Sequence, residues 1–336
     1  MSLHKNILSA IGSTPAVQLK KLFAHAPFSV YAKLEMLNPG GSMKDRPAKE
    51  MLMAALERGL IGPGSTVVES SSGNLAIGLA QICNLIGCRF ICVVDPRTTE
   101  TNLRILQAYG ARIDMVTKPD AATGEFVPAR LNRVRRWLRL LPGAYWPNQY
   151  ANPNNALAHQ QTTMAELAAD LPELDYLFCG VSTCGTLKGC LDYIRIQGLS
   201  TKVIAVDAEG SLIFDRNGTG AARLLPGLGA GRRPELCPEE GVHAVVTVSE
   251  TECIEACRAL VRRESILGGA SSGGVISAVE RYRERIESGA VCAVILPDRG
   301  ERYLDTVYDD GWVENIYGLE FVEQVRSRKR VRSCDI

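Results

Sequence analysis

Lys44 is the residue of this sequence best placed for covalent chemistry. It lies in Asn38-Pro39-Gly40-Gly41-Ser42-Met43-Lys44-Asp45-Arg46-Pro47. Asn-Pro-Gly-Gly marks a turn, Pro47 suits the first turn of a helix, and Asp45 could cap it. The spacing therefore puts Lys44 at a loop-to-helix junction. There, burial and the positive end of the helix dipole disfavour the ammonium form, which suits Schiff-base formation. A lysine snorkelling from a helix start is the competing reading of this motif alone. Three loops rich in small and hydroxyl residues accompany it: Ser70-Ser71-Ser72-Gly73-Asn74, Gly180-Val181-Ser182-Thr183-Cys184-Gly185-Thr186 and Gly268-Gly269-Ala270-Ser271-Ser272-Gly273-Gly274. The second leaves an apolar run and enters a helical one, so its hydroxyls and free N–H groups could cradle a phosphate. Ser and Thr there are equally at home as ordinary helix caps. Neither a P-loop nor a Gly-x-Gly-x-x-Gly dinucleotide fingerprint is present.

The elements that must position these loops follow from the apolar patterning. Strand-like runs at Val67–Glu69, Phe90–Val94, Arg112–Val116, Tyr176–Cys179, Val203–Val206, Val242–Val248 and Val291–Leu296 alternate with helical patterns. The clearest of these are Asn74–Ile86, Thr101–Tyr109, Thr186–Ile196 and Glu250–Arg263. Such alternation predicts α/β architecture: two three-layer domains with mainly parallel sheets. A stretch rich in Pro, Gly and Asn, 141–155, marks a crossing between two blocks. The expected division is a larger domain from residues 1–44 and 148–320, a smaller domain from 45–147, and a C-terminal tail from 321–336. In open α/β sheets ligands sit beyond the carboxyl ends of the strands, where the three loops fall.

Composition narrows the function classes. The chain has 336 residues, and its charges nearly cancel at a formal net +1. No nucleic-acid surface is expected. The basic stretch Arg326, Arg328, Lys329, Arg330 and Arg332 reads as a solvated end. No secretory signal is expected in the mixed segment Met1–Ala10, and the longest uncharged run, Ser70–Cys88, is too polar for a membrane span. Eleven cysteines scattered through apolar segments, without Cys-x-x-Cys, suggest buried reduced thiols in a cytoplasmic protein and no metal site. His159, at a helix start, reads as a cap or packing residue.

Six motifs, in order and in register from about residue 5 to 320, carry a resemblance. The stretch around Lys44 resembles the cofactor-lysine motif of the cysteine synthase and cystathionine β-synthase family, pyridoxal-phosphate enzymes of fold type II. Ser71-Ser72-Gly73-Asn74 is similar to its Thr-Ser-Gly-Asn loop, and Ser182–Thr186 to its Gly-Thr-Gly-Gly-Thr phosphate loop. Pro226–Gly231, Ala270–Gly273 and Ile295–Tyr303 resemble three further segments. The resemblance implies pyridoxal 5′-phosphate bound through Lys44, which also carries the α-proton. Asn74 would contact the cofactor's phenolic oxygen. Ser182, Thr183, Cys184, Gly185 and Thr186 would hold its phosphate, and Ser271 would face its pyridine nitrogen. Ser71, Ser72, Gly73 and Asn74 would bind a substrate carboxylate. A neutral hydroxyl at the ring nitrogen makes a weaker electron sink, which favours β-replacement over transamination. The resemblance also implies a homodimer.

The sequence departs from cysteine synthases at Ser182, Cys184, Leu75-Ala76 and Asp298-Arg299, all near the expected substrates. It resembles more closely a branch that joins O-phospho-L-serine to L-glutamate, giving N-(2-amino-2-carboxyethyl)-L-glutamate on the way to L-2,3-diaminopropionate for siderophores. Those substrates need basic or hydroxyl partners; the candidates are Arg130, Gln149, Tyr150 and Ser182. Arg130 shares its helix with Arg133, Arg135, Arg136 and Arg139, a pattern that otherwise reads as a solvated face. Sulfide or homocysteine as acceptor, serine dehydration, and a family member that has lost activity are the alternatives.

Overall fold

Nine strands form two separate sheets in the computed structural model, which describes residues 3–215 and 223–330. They are β1 (Ala16–Gln18), β2 (Ser29–Leu34), β3 (Thr66–Ser70), β4 (Arg89–Val94), β5 (Arg112–Met115), β6 (Leu174–Gly180), β7 (Lys202–Ala208), β8 (Ala244–Val248) and β9 (Val291–Leu296). The larger sheet runs β1-β2-β9-β6-β7-β8 and the smaller β3-β4-β5. Every pairing is parallel except β1 with β2 at one edge.

The helices are α1 (Asp45–Glu57), α2 (Asn74–Ile86), α3 (Glu100–Ala108), α4 (Phe126–Leu140), α5 (Pro153–Ala158), α6 (Ala165–Asp170), α7 (Gly185–Gln197), α8 (Glu250–Glu264), α9 (Ala270–Tyr282), α10 (Asp310–Tyr317) and α11 (Leu319–Arg330). Successive side chains of a strand face opposite ways, and the larger sheet uses both faces. Tyr176, Phe178, Ile204, Val206, Val294 and Leu296 pack with α8 and α9 residues such as Leu260, Ile276 and Val279. Leu177, Cys179, Val203, Ala205, Ala293 and Ile295 pack with Leu187, Cys190 and Ile194 of α7 on the other face. The smaller sheet does the same. Val67, Phe90, Cys92 and Val94 meet α1 and α2, while Val68, Ile91 and Val93 meet Val134 of α4. The α2 helix is apolar nearly all round, with Leu75 to Cys83 buried without a break, as a helix enclosed between a sheet and another helix must be.

The structure departs from the sequence pattern near both ends of the chain. The first strands, β1 and β2, were not expected. The alternation of β2 is masked by Lys33, which is fully buried, 2.9 Å from Glu166 and with its ammonium donating to Thr14 O. The C-terminal end, in turn, is not simply a solvated tail. Val322 and Val325 of α11 are buried, and Arg326 pairs with Asp310 at 2.6 Å; Arg332 lies outside the described residues. No helix among the described residues is long and apolar enough to cross a membrane. The ten described cysteines are all buried and free.

Candidate active site

Four chain segments leave carboxyl ends of strands and meet around Lys44. After β2 the chain makes a short 3-10 turn, Glu35–Leu37, and enters the loop that carries Lys44. That loop is pinned to the end of β9: Met43 N–H donates to Pro297 O (2.8 Å) and Arg299 N–H to Gly41 O (3.2 Å). It is pinned from below by a buried ionic cluster. The Arg46 guanidinium forks onto Glu35 (2.6 and 2.7 Å) and onto Glu166 (2.6 and 2.8 Å). Asn38 donates to Glu35 at 2.9 Å and accepts from Gly12 N–H at 2.9 Å. Asp45 does not cap α1 as expected. It is the helix's first residue and accepts instead from Gly40 N–H, closing the turn on itself; burial pushes its carboxyl up to about 7.

Lys44, Asn74, Ser182, Thr183, Cys184, Gly185, Thr186 and Ser271 line one cavity, together with Met43, Gly180, Gly227 and Pro297. Burial lowers the Lys44 ammonium below its ordinary value, against the opposing pull of Asp298. Its neutral amine is thus more available as a nucleophile than an exposed lysine's. The loop 182–184 runs into α7, whose first N–H groups have no acceptor within the helix. Cys184 caps this end in the left-handed conformation (φ +63°), which costs a non-glycine residue energy and explains why glycine suits this position. The loop is braced from α5 and the π-helical turn His159–Met164. Asn155 Nδ2 donates to Thr183 Oγ1 (3.3 Å), and His159 sits fully buried between Thr186 (3.2 Å) and Thr163 (2.9 Å). Burial and the nearby Lys44 and Arg46 charges hold His159 neutral, so it positions Thr186 as a packing residue. This close bracing needs Gly189, where a Cβ would fall 2.2 Å from Ala156 O. Ser271 is buried in the first turn of α9 and faces Gly227, whose φ of +107° and missing side chain leave the space open.

The remaining expected residues lie around rather than in that cavity. Ser71 Oγ accepts from Ala76 N–H at the start of α2, Ser72 O accepts from Asn102, and Gly73 is the helix N-cap. Gln149 is buried beside β3: its N–H donates to Glu69 (3.3 Å) and its amide to Ser70 O (3.4 Å). Tyr150 is half-buried with the Arg232 guanidinium 5.8 Å from its ring. Arg130 is not on the solvated face of α4. It is buried, Nε lies 3.4 Å from Asp95 without a hydrogen bond to any group, and its charge acts on Tyr150 and Cys92. Arg135, Arg136 and Arg139 are exposed, and Arg133 pairs with Asp114.

Two residues with structural importance here had no role assigned from the sequence. Glu69 gathers Trp146 Nε1 (2.9 Å), Ser70 N–H and Gln149 N–H, and so hangs the crossing segment on the end of β3; burial pushes it up to about 7. Asp298, buried after β9, accepts from Asn74 Nδ2 and Tyr303 Oη, each at 2.7 Å. The sequence pointed to it through the Ile295–Tyr303 motif and through the Asp298-Arg299 departure, without giving it this partner.

The family model described as "Pyridoxal-phosphate dependent enzyme" matches residues 7–298. The chain belongs to this family. It is a pyridoxal-phosphate enzyme with the fold-type II, mainly parallel α/β architecture. A curated relative from Cupriavidus metallidurans, named N-(2-amino-2-carboxyethyl)-L-glutamate synthase, is 46% identical over 98% of this chain and 96% of its own length. One of the same name from Ralstonia nicotianae is 45% identical over 94% and 92%. Among solved structures, an O-ureido-L-serine synthase superposes with a TM-score of 0.83 at 30% identity, covering 93% of this chain and 99% of the other. An O-acetylserine-dependent cystathionine β-synthase from Helicobacter pylori gives 0.84 at 27%, covering 91% and 99%. The cavity fits the cofactor in kind: an amine of lowered basicity for an aldehyde, and a helix N-terminus ringed by hydroxyls for a phosphate.

Proposed function

We propose that this enzyme joins O-phospho-L-serine to L-glutamate, releasing phosphate and forming N-(2-amino-2-carboxyethyl)-L-glutamate. The name shared by both curated relatives supports the reaction. The observation in the fold that carries it is Arg130: a buried guanidinium whose Nε lies 3.4 Å from Asp95 without a hydrogen bond, and whose charge acts on Tyr150. A substrate bearing a phosphate and an acceptor with two carboxylates need such a group; a thiol acceptor does not.

The bound cofactor supplies electron withdrawal from the substrate's α-carbon. The chain's own residues do the rest. Ser182 to Thr186 would hold the cofactor's phosphate, and Asn74 and Ser271, which line the same cavity, would hold its ring, Asn74 as a donor and Ser271 as a neutral hydroxyl. Ser71, Ser72 and Gly73 receive the amino acid's carboxylate on the N-terminus of α2. Lys44 Nζ takes the proton from the α-carbon and later returns it. Arg130, Gln149, Tyr150 and Ser182 orient the departing phosphate and the glutamate. The same reading includes residues 45–147 closing over the substrates as the smaller unit, a homodimer and a cytoplasmic setting.

Phosphate release with glutamate as acceptor tests this reading. Arg130→Ala is expected to raise the KM for phosphoserine at least about tenfold, the worth of one charge-assisted hydrogen bond, while the cofactor's visible band stays in place. An unchanged KM, or faster turnover with sulfide than with glutamate, contradicts it.

A further inference from the structure

The amide of Asn74 is held from two sides by groups of opposite kind. Its Oδ1 accepts from Arg302 Nη1, and its Nδ2 donates to Asp298 Oδ2 at 2.7 Å. A guanidinium can only donate, and an ionised carboxylate can only accept. Turning the amide over would set N–H against N–H and oxygen against oxygen, so one orientation is enforced. Both holders are themselves fixed. Asp298 is buried and accepts from Tyr303 Oη at 2.7 Å, and its backbone is tied to Gly269 N–H at 3.0 Å. Arg302 also donates to Gly40 O at 2.5 Å, within the turn that carries Lys44. Asn74 lines the Lys44 cavity, and one Nδ2–H is not used by Asp298.

We propose that Asp298 and Arg302 are positioning residues that clamp Asn74, so that its spare N–H is presented to the cofactor and the asparagine loop is coupled to the lysine turn. Neither need touch substrate. The clamp supplies a donor, and only a donor, at that point of the cavity. It favours whichever cofactor form carries negative charge on the oxygen facing it. It also joins the segment after β9, the turn before α1 and the start of α2, which come from both sheets. This rests on Asn74 contacting the cofactor, as the proposed function has it.

The test is a double-mutant cycle read on the cofactor rather than on turnover. In the holoenzyme, Asn74→Ala is expected to shift the visible absorbance band and to weaken pyridoxal-phosphate binding about tenfold. Asp298→Ala, which removes the acceptor of Asn74 Nδ2–H, is expected to produce most of that change. The combined variant should be no worse than Asn74→Ala alone. Arg302→Met attacks the clamp from its half-exposed side, where the fold is not at risk, and is expected to shift the band in the same direction. Tyr303→Phe, which leaves both holders in place, should shift it little. If Asn74→Ala alters the cofactor but Asp298→Ala and Arg302→Met do not, or if their effects add fully to it, the clamp is wrong. If Asn74→Ala itself leaves band and affinity unchanged, the assignment of Asn74 to the cofactor falls and the clamp falls with it.

Discussion

Lys44→Ala is expected to abolish the visible absorbance of lysine-bound cofactor and to lower turnover by at least about 10³-fold, with little change in thermal stability. The size follows from the loss of two functions at one atom. The amine is both the covalent anchor and the group placed to carry the α-proton, and general acid–base catalysis alone is worth roughly 10²–10⁴-fold. Stability should hold because the lysine turn is fixed by other groups, namely Met43 N–H on Pro297 O and the Arg46 cluster. The helix N-terminus at Ser182–Thr186 remains, so cofactor should still bind, without the shift that imine formation gives. A variant that keeps its visible band or a tenth of its turnover would show that another residue anchors the cofactor.

Removal of the Arg46 guanidinium is expected to destabilise the fold strongly. Arg46→Met should cost about 3–5 kcal/mol in chemical denaturation, because it strands Glu35, fully buried, without its charge partner. The pH dependence gives a second readout. Burial alone would raise Glu166, but hydrogen bonds and charge from Arg46, with Lys33 and Ser13 N–H, outweigh it and hold the carboxyl at about 2. A carboxyl depressed in the folded state stabilises above its unfolded value of 4.5, and this stabilisation is lost as pH falls through about 2. The parent should therefore lose stability between about pH 4.5 and 2, and Arg46→Met should lose less there, since Glu166 then titrates nearer its ordinary value. Loss of under 1 kcal/mol, or an unaltered acid limb, would mean the cluster does not hold the turn.

The loops of this site were legible because small and hydroxyl residues interrupt apolar runs. Ser70–Asn74 and Gly180–Thr186 both lie between a strand and a helix, and the helix from Asn74 to Ile86 was read with its observed bounds. Residues whose partners are remote in sequence were not legible in their roles. Asp298 meets Asn74 across 224 positions and Glu69 meets Gln149 across 80, so no local pattern marks them as holders. Arg130 is named as a candidate through the resemblance, not through any local pattern. An arginine-rich helix gives no local sign of which guanidinium turns inward, and only packing of α4 on the smaller sheet decides it. Lys33 misled for a related reason: a charged residue in a strand reads as solvent-facing, yet Glu166 and Thr14 compensate it in the interior.

The most direct measurement is an absorbance titration of the purified holoenzyme, first with O-phospho-L-serine and then with L-glutamate. The account predicts that phosphoserine changes the visible band with release of phosphate, and that glutamate alone restores the original spectrum as the carbon–nitrogen bond forms. A spectrum that responds to O-acetyl-L-serine but not to phosphoserine, and is restored by sulfide but not by glutamate, would contradict it.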